Sequence, residues 1–473
     1  MLTLAGIWQG ITGQEIGDPK ATEFRFRDVV IDSRKADKDL LFIALPGEKD
    51  DGHNYVKDAL QRGASAAIVH RMVDGLPQVI DTTQRPLPSP PLRLSPPVGL
   101  LVEDTLKALQ DMAAYHRRQF DVRVVGVTGS IGKTTTKEAI HSVLSKSFLA
   151  LKSEENLNNE IGLPLTLLGL KEDHTTVVLE LGMYALGEIA QLAAIALPQI
   201  GVVTNVSYSH LERLGSLERI AQAKAELIEA LPPDGTAILN GDDPQVKAMG
   251  SLTEAQVLYY GLSPDCHLRA SHIESRGLDG VHFRMQYGQE TLHVKISLLG
   301  RHSVHTALAA AAVGVTEGQP WGQIVAGLRD TAVQLRLIAT PGAKGSTIID
   351  DSYNASPTSS LAALNLLAEL QGRKIAVLGG MLELGSYEEE GHRKVGRRVA
   401  GVTDKLVTVG ALGAVIGREA IAIGMQADDV FFAKDSRQAV EFLQDFVASG
   451  DLILVKGSRG MHMEEIVAEL GEE

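Results

Sequence analysis

The chain has 473 residues and one cysteine, Cys266, which excludes an intramolecular disulfide and a cysteine-based metal cluster. Basic residues are fewer than acidic ones, 45 against 59. The formal net charge of -14 argues against a surface for polyanions, so nucleic acid is not an expected partner. No apolar run approaches the roughly 20 residues needed to span a bilayer, and the first ten residues lack the basic and apolar segments of a signal peptide. These absences predict a cytoplasmic protein.

The composition is that of an ordinary globular protein, with 44% hydrophobic and 22% charged residues. The length exceeds one typical domain and suggests two to four. Proline is concentrated at 77–97, and this density predicts extended, solvated backbone, without helix or strand, near a domain boundary. Before it, apolar runs at 29–31, 40–44 and 66–69 around a helical pattern at 54–62 predict a small α/β domain over 1–102.

Beyond the proline-rich stretch, strand-like and helical patterns alternate, which predicts a mostly parallel sheet with helices on both faces over 103–332. The strand-like runs are 122–127, 176–181, 200–206 and 236–239, and the helical patterns are 134–146, 188–196 and 217–231. Alternating polar and apolar positions indicate a β-rich subregion at 256–300. A second α/β series predicts a Rossmann-like domain over 333–473, with strands at 348–349, 374–378, 405–409, 430–432 and 452–455. Three α/β domains with one phosphate loop favour a site assembled between domains and completed by closure.

The segment TGSIGKTTT at 128–136 follows an apolar run and opens a helical pattern, which is typical of a loop that binds nucleotide phosphates. Glycines let backbone N–H groups turn inward, Lys133 supplies a positive charge, and a threonine hydroxyl can hold Mg2+. The usual spacing would place glycine at 127, where this chain has Val127, so the loop is shorter than usual. The competing interpretation is a glycine-rich turn with an incidental lysine.

Four other features are candidates for chemistry, and the first two are expected at the same sheet edge as the phosphate loop. Glu180 ends a strand and is either a Mg2+ ligand or a solvated carboxylate. His210 follows the next strand and is either a ligand or a hydrogen-bonded loop residue. Lys224 lies on an otherwise apolar helix, and that pattern alone favours a surface lysine whose stem covers apolar neighbours. The amides around Asn158 either cap the following helix or contact a ligand.

Together these segments resemble the Mur ligase family, ATP-dependent enzymes that add amino acids to the peptide of the bacterial cell-wall precursor. The resemblance covers nearly the whole chain, and the family uses the same shortened phosphate loop. The matching segments are TGSIGKTTTK at 128–137, ENLNNEIGLPLTLL at 155–168, LELG at 179–182, TNVSYSHLE at 204–212, AKAEL at 223–227, GRH at 300–302, DDSYNASP at 350–357 and KGSRG at 456–460.

Within the family, the chain most resembles the members that join D-alanyl-D-alanine to UDP-N-acetylmuramoyl-tripeptide. DSR at 32–34, FIALPGE at 42–48 and DGH at 51–53 resemble their uridine-nucleotide domain, and GMLELG at 380–385 resembles their C-terminal domain. The Asp-Asn-Pro-Arg signature of the diaminopimelate-adding members is not seen. The resemblance implies phosphorylation of the tripeptide carboxylate, attack by the dipeptide amine, and release of ADP and phosphate. Alternatives are a diaminopimelate- or lysine-adding ligase, a folylpolyglutamate synthase or, from another class, an ATP-dependent switch or scaffold.

The resemblance also implies roles for individual residues. Lys133, Lys224 and His210 would be catalytic, and Lys224 matches a lysine that the family carbamylates, which would make it an anionic metal ligand. Mg2+ would be held by Thr134, Glu180, His210 and Lys224. ATP would be bound by Thr128, Gly129, Ser130, Ile131, Gly132, Lys133, Thr134, Thr135, Asn158, Asn159, Arg336, Asp350 and Asp351. The two other substrates would contact Ser33, Arg34, Asp51, His53, Tyr353 and Asn354.

Two departures from the family pattern stand out. The family usually reads Gly-Arg-His-Asn-Val-x-Asn where this chain has GRHSVHT at 300–306, so Ser303 and Thr306 replace two asparagines associated with the adenine pocket. This change predicts altered or weaker base recognition. The proline-rich stretch is also longer than is usual in the family. The enzyme is expected to act as a monomer.

Overall fold

A computed structural model describes residues 2–16, 20–47, 50–84, 87, 96–154, 156–208, 211–330 and 337–471. The chain divides into two compact units. The first comprises Met1–Gly126, Phe148–Met183 and Gly187–Gln199, and the second comprises Val127–Ser147, Tyr184–Leu186 and Ile200–Glu473. Within the described ranges, every helix is too short or too polar to span a bilayer.

The N-terminal part of the first unit is a small α/β structure, as the sequence predicted. Five parallel strands pair in the order β3-β4-β5-β7-β6, and β1 and β2 form a separate antiparallel pair. The interior strands β4 and β5 carry buried side chains throughout, as parallel strands covered on both faces do. The elements are β1 (Leu2–Thr3), α1 (Leu4–Thr12), α2 (Lys20–Glu23), β2 (Arg25–Phe26), β3 (Asp28–Val30), β4 (Leu40–Ile43), α3 (Val56–Gln61), β5 (Ala66–Val69), β6 (Val79–Asp81) and β7 (Val98–Leu101).

The expectation that 77–97 contains no strand is wrong at one point. Strand β6 lies inside this stretch and pairs in parallel with β7. Its three residues contain no proline, so their N–H groups remain available to the sheet, and Pro77 lies before the strand rather than in it. Residues 85–86 and 88–95 lie outside the described ranges, and the prediction of extended backbone stays a prediction there.

The next part of the chain contributes elements to both units. Strand β8 begins in the first unit and ends in the second, and α5 belongs to the second unit. Strands β9 and β10, in the first unit, pair in parallel. The elements are α4 (Thr105–Arg117), β8 (Arg123–Thr128), α5 (Lys133–Leu144), β9 (Ala150–Lys152), α6 (Gly162–Leu168), β10 (Thr176–Glu180) and α7 (Glu188–Ala196).

In the second unit, the strands from β11 to β16 pair in chain order. The pairs from β11 to β14 are parallel, and the last two pairs are antiparallel, which confirms a mostly parallel arrangement followed by a β-rich subregion. The elements are β11 (Ile200–Val203), α8 (Leu211–Leu214), α9 (Leu217–Glu229), β12 (Thr236–Asn240), α10 (Pro244–Ala248), β13 (Gln256–Gly261), β14 (Leu268–Ser275), β15 (Val281–Tyr287), β16 (Glu290–Ile296), α11 (Ser303–Thr316) and α12 (Trp321–Leu328).

The C-terminal part of the second unit is a six-stranded sheet in the order β17-β18-β22-β19-β20-β21. All neighbours are parallel except the edge strand β17, and apolar clusters lie on both faces. The predicted Rossmann-like arrangement is confirmed. The elements are β17 (Ile338–Gly342), β18 (Ser346–Asp351), α13 (Pro357–Glu369), β19 (Lys374–Leu378), α14 (Glu388–Val399), β20 (Lys405–Val409), α15 (Gly410–Ala422), β21 (Val430–Ala433), α16 (Ser436–Phe446), β22 (Leu452–Lys456) and α17 (Glu464–Leu470).

Candidate active site

The phosphate loop lies between β8 and α5, in the strand–loop–helix context that the sequence predicted. Gly129 has φ +149°, and a Cβ atom built there would lie 1.9 Å from Oγ1 of Thr204. Gly132, at the N-terminal cap of α5, has φ +82°. Any side chain at 129 would collide with Thr204, and one at 132 would be strained. The loop therefore passes directly into the N-terminus of α5, whose dipole and exposed N–H groups favour an anion.

The 204–207 segment, which follows β11, braces this loop, and sequence reasoning did not foresee it. Asn205 accepts hydrogen bonds from the backbone N–H groups of Ser130 (2.9 Å, to its carbonyl) and Ile131 (3.0 Å, to Oδ1). Its Nδ2 donates to the carbonyl of Ile131 over 2.8 Å. The Ser130 hydroxyl donates to the carbonyl of Ser207. Two of the loop amides expected to meet phosphate are thus already used within the protein.

The Lys133 side chain folds back over the loop that precedes it. Its Nζ donates to the carbonyl of Gly129 at 2.9 Å and to that of Ser130 at 3.4 Å. Thr134 and Thr135 follow in the first turn of α5. The ammonium group therefore lies at the loop, bonded to neutral carbonyls that it could exchange for phosphate oxygens.

Lys224 contradicts the surface position that the helical pattern favoured. It lies on α9 with 2% of its surface exposed, beside the buried Ala223 and Ala225. Among the described residues, no group forms a hydrogen bond or ion pair with its ammonium. Burial, and then the positive charge of Lys133, hold its pKa well below the usual value. The side chain points into the protein, so its four-carbon stem cannot carry the charge to water as the surface interpretation required.

Glu180, at the end of β10, is also buried rather than solvated, with 2% exposure. Its Oε1 accepts from Nδ2 of Asn158 at 2.8 Å, and its backbone N–H donates to the hydroxyl of Ser153. Within the described ranges, the buried Oε2 atom has no hydrogen-bond partner. A buried carboxylate oxygen without a partner is costly, and such an oxygen is available to a cation. The described residues contain no cluster of three or more histidine, cysteine or acidic side chains that could hold a metal.

The amide segment before α6 confirms the first of the two roles considered for it, the capping of the helix. Asn159 caps the helix, since its Oδ1 accepts from the backbone N–H groups of Gly162 (2.9 Å) and Ile161 (3.4 Å). Asn158 instead holds Glu180. Two other predicted site residues, His210 and Arg336, lie outside the described residues.

The N-terminal candidates form a bonded group around a buried histidine. The Nε2 atom of His53 accepts from the backbone N–H of His70 at 3.0 Å, so its proton lies on Nδ1, which donates to Asp51 at 2.7 Å. Burial lowers the pKa of His53 and favours this neutral form. Asp51 also accepts from Arg71 at 2.9 Å.

Ser33 and Arg34 lie elsewhere on the same N-terminal sheet structure and differ in exposure. Ser33 is buried, whereas 82% of the Arg34 side chain is exposed and pairs with Asp32 at 2.8 Å. The guanidinium of Arg34 is the main cause that lowers the pKa of Asp32 to about 2. Arg34 can therefore reach a ligand, but it would do so as part of an ion pair.

In the C-terminal candidates, Asp351 at the end of β18 forms a buried ion pair with Lys456, which ends β22. The Lys456 Nζ also donates to the carbonyl of Asn354 at 2.9 Å. Lys456 lies in the KGSRG segment that matches the family, but no role was predicted for it. Asp350 accepts from the N–H of Ser352, and Tyr353 is 44% exposed, with the Arg459 guanidinium 5.6 Å from its ring centre. Asp351 is thus committed to an internal partner, while Tyr353 is open to solvent.

One of the two residues that replace the family's asparagines is also committed internally. The buried hydroxyl of Ser303 donates to the carbonyl of Leu299 at 2.6 Å. His305, between the two substitutions, pairs with Asp242 at 2.7 Å. The Ser303 hydroxyl therefore donates within the protein and does not replace the side-chain amide that the family has at this position.

Family models account for most of the chain. The matches are to the Mur ligase family catalytic domain over residues 25–117, the Mur ligase middle domain over 127–314 and the Mur ligase glutamate ligase domain over 335–459. UDP-N-acetylmuramoyl-tripeptide--D-alanyl-D-alanine ligase of Bacillus subtilis (strain 168) is 38% identical over 463 residues, covering 97% of this chain and 96% of its own.

Solved structures agree with these matches. A crystal structure of MurF from Acinetobacter baumannii superposes with a TM-score of 0.84 at 30% identity, covering 99% of this chain and 98% of its own. A crystal structure of MurF ligase from Thermotoga maritima in complex with ADP superposes with a TM-score of 0.78 at 26% identity, covering 94% and 97%. With matches along nearly its whole length and the family's shortened phosphate loop in place, the chain belongs to the Mur ligase family.

Proposed function

We propose that this enzyme uses ATP to join D-alanyl-D-alanine to UDP-N-acetylmuramoyl-tripeptide, giving the pentapeptide precursor of peptidoglycan, ADP and phosphate. The observation that carries the proposal is the end-to-end similarity to a relative named for this reaction, at 38% identity over 97% of the chain. The phosphate loop, the buried Lys224, and the Glu180 Oε2 that has no partner in the described part of the chain are the local features that the reaction needs.

The chemistry follows from the weak electrophilicity of a carboxylate. The terminal carboxylate of the tripeptide would attack the γ-phosphorus of ATP, releasing ADP and forming an acyl phosphate. The dipeptide amine would then attack the acyl carbon, and phosphate would leave as the amine loses a proton. Lys133 would exchange its carbonyl partners for phosphate oxygens and offset the charge that develops on them. The dipole at the N-terminus of α5 would stabilise the same phosphate charge.

Mg2+, when bound, would screen the phosphate charges. By the family resemblance we assign its protein ligands as Thr134, Glu180, His210 and a carbamylated Lys224. Carbamylation joins the neutral Lys224 amine to CO2 with release of a proton, and gives the buried side chain a negative charge. The lowered pKa of Lys224 favours the neutral amine that this reaction requires. The bare Oε2 of Glu180 fits the same purpose.

The remaining assignments follow the domain order of the family. We place the uridine nucleotide on residues 1–102, with Ser33, Arg34, Asp51 and His53, and ATP on residues 103–332. The dipeptide would meet residues 333–473 through Tyr353 and Asn354. The ATP site would also be shaped by Asn158, Asn159, Arg336, Asp350 and Asp351. Of these, Asn158 would act through Glu180, and Asp351 through Lys456, rather than by direct contact with ATP. We further propose that the enzyme is a cytoplasmic monomer.

The assay that tests the function is phosphate release from Mg-ATP with each of the two other substrates omitted in turn. Release should require both, and the product should have the mass of the pentapeptide precursor. Release that ignores the dipeptide but responds to diaminopimelate, lysine or a folate would identify a different ligase. Release that needs no acceptor would indicate a nucleotide switch.

A matched pair of variants checks the site. Lys133→Ala should abolish turnover because it removes the positive charge that would offset the charge developing on the phosphate oxygens. Lys146→Ala removes a lysine that follows the same helix and pairs with Asp330, so it should leave the rate unchanged. Near-normal turnover in Lys133→Ala would contradict the assignment.

A further inference from the structure

The loop at 379–387, between β19 and α14, is fixed at its base inside the C-terminal sheet region. The backbone N–H of Met381 donates to Nε2 of the buried His392 at 2.8 Å, and that of Leu382 donates to the hydroxyl of Ser458 at 2.9 Å. The N–H of Ser458 in turn donates to the carbonyl of Gly380 at 3.0 Å. Because Met381, His392 and Ser458 are buried, these bonds fix the base of the loop to the C-terminal sheet region.

The tip of the same loop touches the segment that follows β11. The ring of Tyr387 stacks on that of Tyr208, with centroids 4.4 Å apart and planes 24° from parallel. The N–H of Glu212 donates to the carbonyl of Glu383 at 3.3 Å. The backbones are so close that a Cβ atom on Gly385 would lie 2.9 Å from Cα of Glu212. The C-terminal loop therefore contacts the chain both before position 210, at Tyr208, and after it, at Glu212.

The contacted segment is continuous with the brace of the phosphate loop. Tyr208 directly follows Ser207, whose carbonyl accepts from the Ser130 hydroxyl, and lies three residues after Asn205, which holds Ser130 and Ile131. The contacts thus run without a gap from the C-terminal sheet, through the 379–387 loop, to the phosphate loop. A chain of packed and bonded groups of this kind can transmit position, provided that coupling is measured.

We propose that Tyr387 and Tyr208 are a positioning pair, which sets the C-terminal region against the phosphate loop for the transfer step. Neither residue is catalytic, because neither lies within the phosphate loop or on the buried Lys224 and Glu180. The kinetic consequence rests on the proposed function, since it requires the dipeptide to arrive on the C-terminal region. Small shifts in such a contact are costly because the reacting groups must lie at attack distance.

The test is a double-mutant cycle on Tyr208→Ala and Tyr387→Ala, with Tyr387→Phe as the conservative variant. Each alanine variant should lower kcat/KM for the dipeptide by roughly threefold to tenfold, the range expected for one stacked pair. The affinity for ATP, measured by titration calorimetry without the dipeptide, should not change. The kcat/KM of the double variant should be no lower than that of the poorer single variant. Tyr387→Phe keeps the stacked ring and should retain the wild-type kcat/KM. Additive losses, equal losses of ATP affinity, or wild-type rates would overturn the proposal.

A second perturbation leaves both rings in place. Gly385→Ala inserts a methyl group against the backbone of Glu212, and it should give a loss similar to that of Tyr387→Ala. Gly450→Ala is the matched control: its φ of +84° makes alanine at least as strained as at Gly385 (φ +51°), but nothing lies within 4 Å. Equal effects of the two variants would show that strain alone is responsible and would overturn the proposal.

Failure of the proposed function is separable from failure of this inference. If the wild-type enzyme makes no pentapeptide, the function is wrong, and amide hydrogen exchange then decides the positioning pair. Exchange at 204–208 should be faster in Tyr387→Ala than in the wild type and unchanged in Gly450→Ala. Identical exchange in wild type and Tyr387→Ala would overturn the pair whatever the substrate.

Discussion

Replacing Lys224 by methionine should make the protein more stable while abolishing its activity. Lys224 is 2% exposed and its ammonium has no partner among the described residues, so the folded state bears the cost of burying it. Methionine has a similar length and no charge. Exchanging buried ionic groups for apolar ones of similar volume stabilises proteins by about 1–4 kcal/mol. For a domain of 150–250 residues each kcal/mol raises Tm by about 2–4 °C.

The gain in the free energy of unfolding should depend on pH, and the direction of this dependence follows from the lowered pKa of Lys224. Between the folded pKa and the unfolded value of about 10.4, the unfolded chain binds the extra proton, so wild-type stability rises with pH by up to about 1.4 kcal/mol per pH unit. The penalty is complete below the folded pKa. The advantage of Lys224→Met should therefore be largest at low pH and shrink as the pH rises towards the unfolded value.

Lys456→Met supplies a control with the opposite sign. Lys456 is equally buried, at 2%, but it pairs with Asp351, which would be left as a buried charge without its partner. Removing one member of a buried pair costs about 3–5 kcal/mol. The assay is calorimetric unfolding in CO2-depleted buffer without Mg2+, from acid to alkaline pH. A Lys224→Met variant that is less stable than the wild type, or a difference that ignores pH, would refute the reasoning.

Three further predictions follow from single contacts. Glu180→Gln keeps an acceptor for Asn158 but loses the anionic Oε2, and it should raise the Mg2+ concentration needed for half-maximal turnover about 10–100-fold; an unchanged requirement would remove Glu180 from the metal. Gly129→Ala should lower stability by about 2–5 kcal/mol and abolish ATP binding, because its methyl group overlaps Thr204; calorimetry with normal ATP affinity would contradict this. Burial lowers the pKa of His392, so its stabilising bond is complete above about pH 6.5 and is lost as the pH falls through the folded value. His392→Gln should therefore flatten the acid side of the unfolding profile, and an unaltered profile would refute that role.

The sequence predicted several strands of the six-stranded C-terminal sheet closely because parallel strands are short apolar runs bounded by polar turns. Strands β19, β20 and β22 begin at or within one residue of the predicted positions. Strand β6 was missed because a proline count averages over a window, whereas three proline-free residues suffice for a strand.

The site was less predictable for a physical reason. The burial of Lys224 depends on residues distant in sequence that cover α9, and helical periodicity cannot reveal them. The brace by Asn205 has the same origin, although its position directly after a strand next to the phosphate loop was a usable signal. Side-chain pairs such as Asp351 with Lys456 join positions about a hundred residues apart, and only the fold brings them together.

The most direct measurement is to label the terminal carboxylate of UDP-N-acetylmuramoyl-tripeptide with 18O and follow the label in the complete reaction with Mg-ATP and D-alanyl-D-alanine. Phosphorylation of the carboxylate predicts that one labelled oxygen appears in the released phosphate for each pentapeptide formed. Phosphate without label, or label without the pentapeptide mass, would contradict the proposed ligase mechanism.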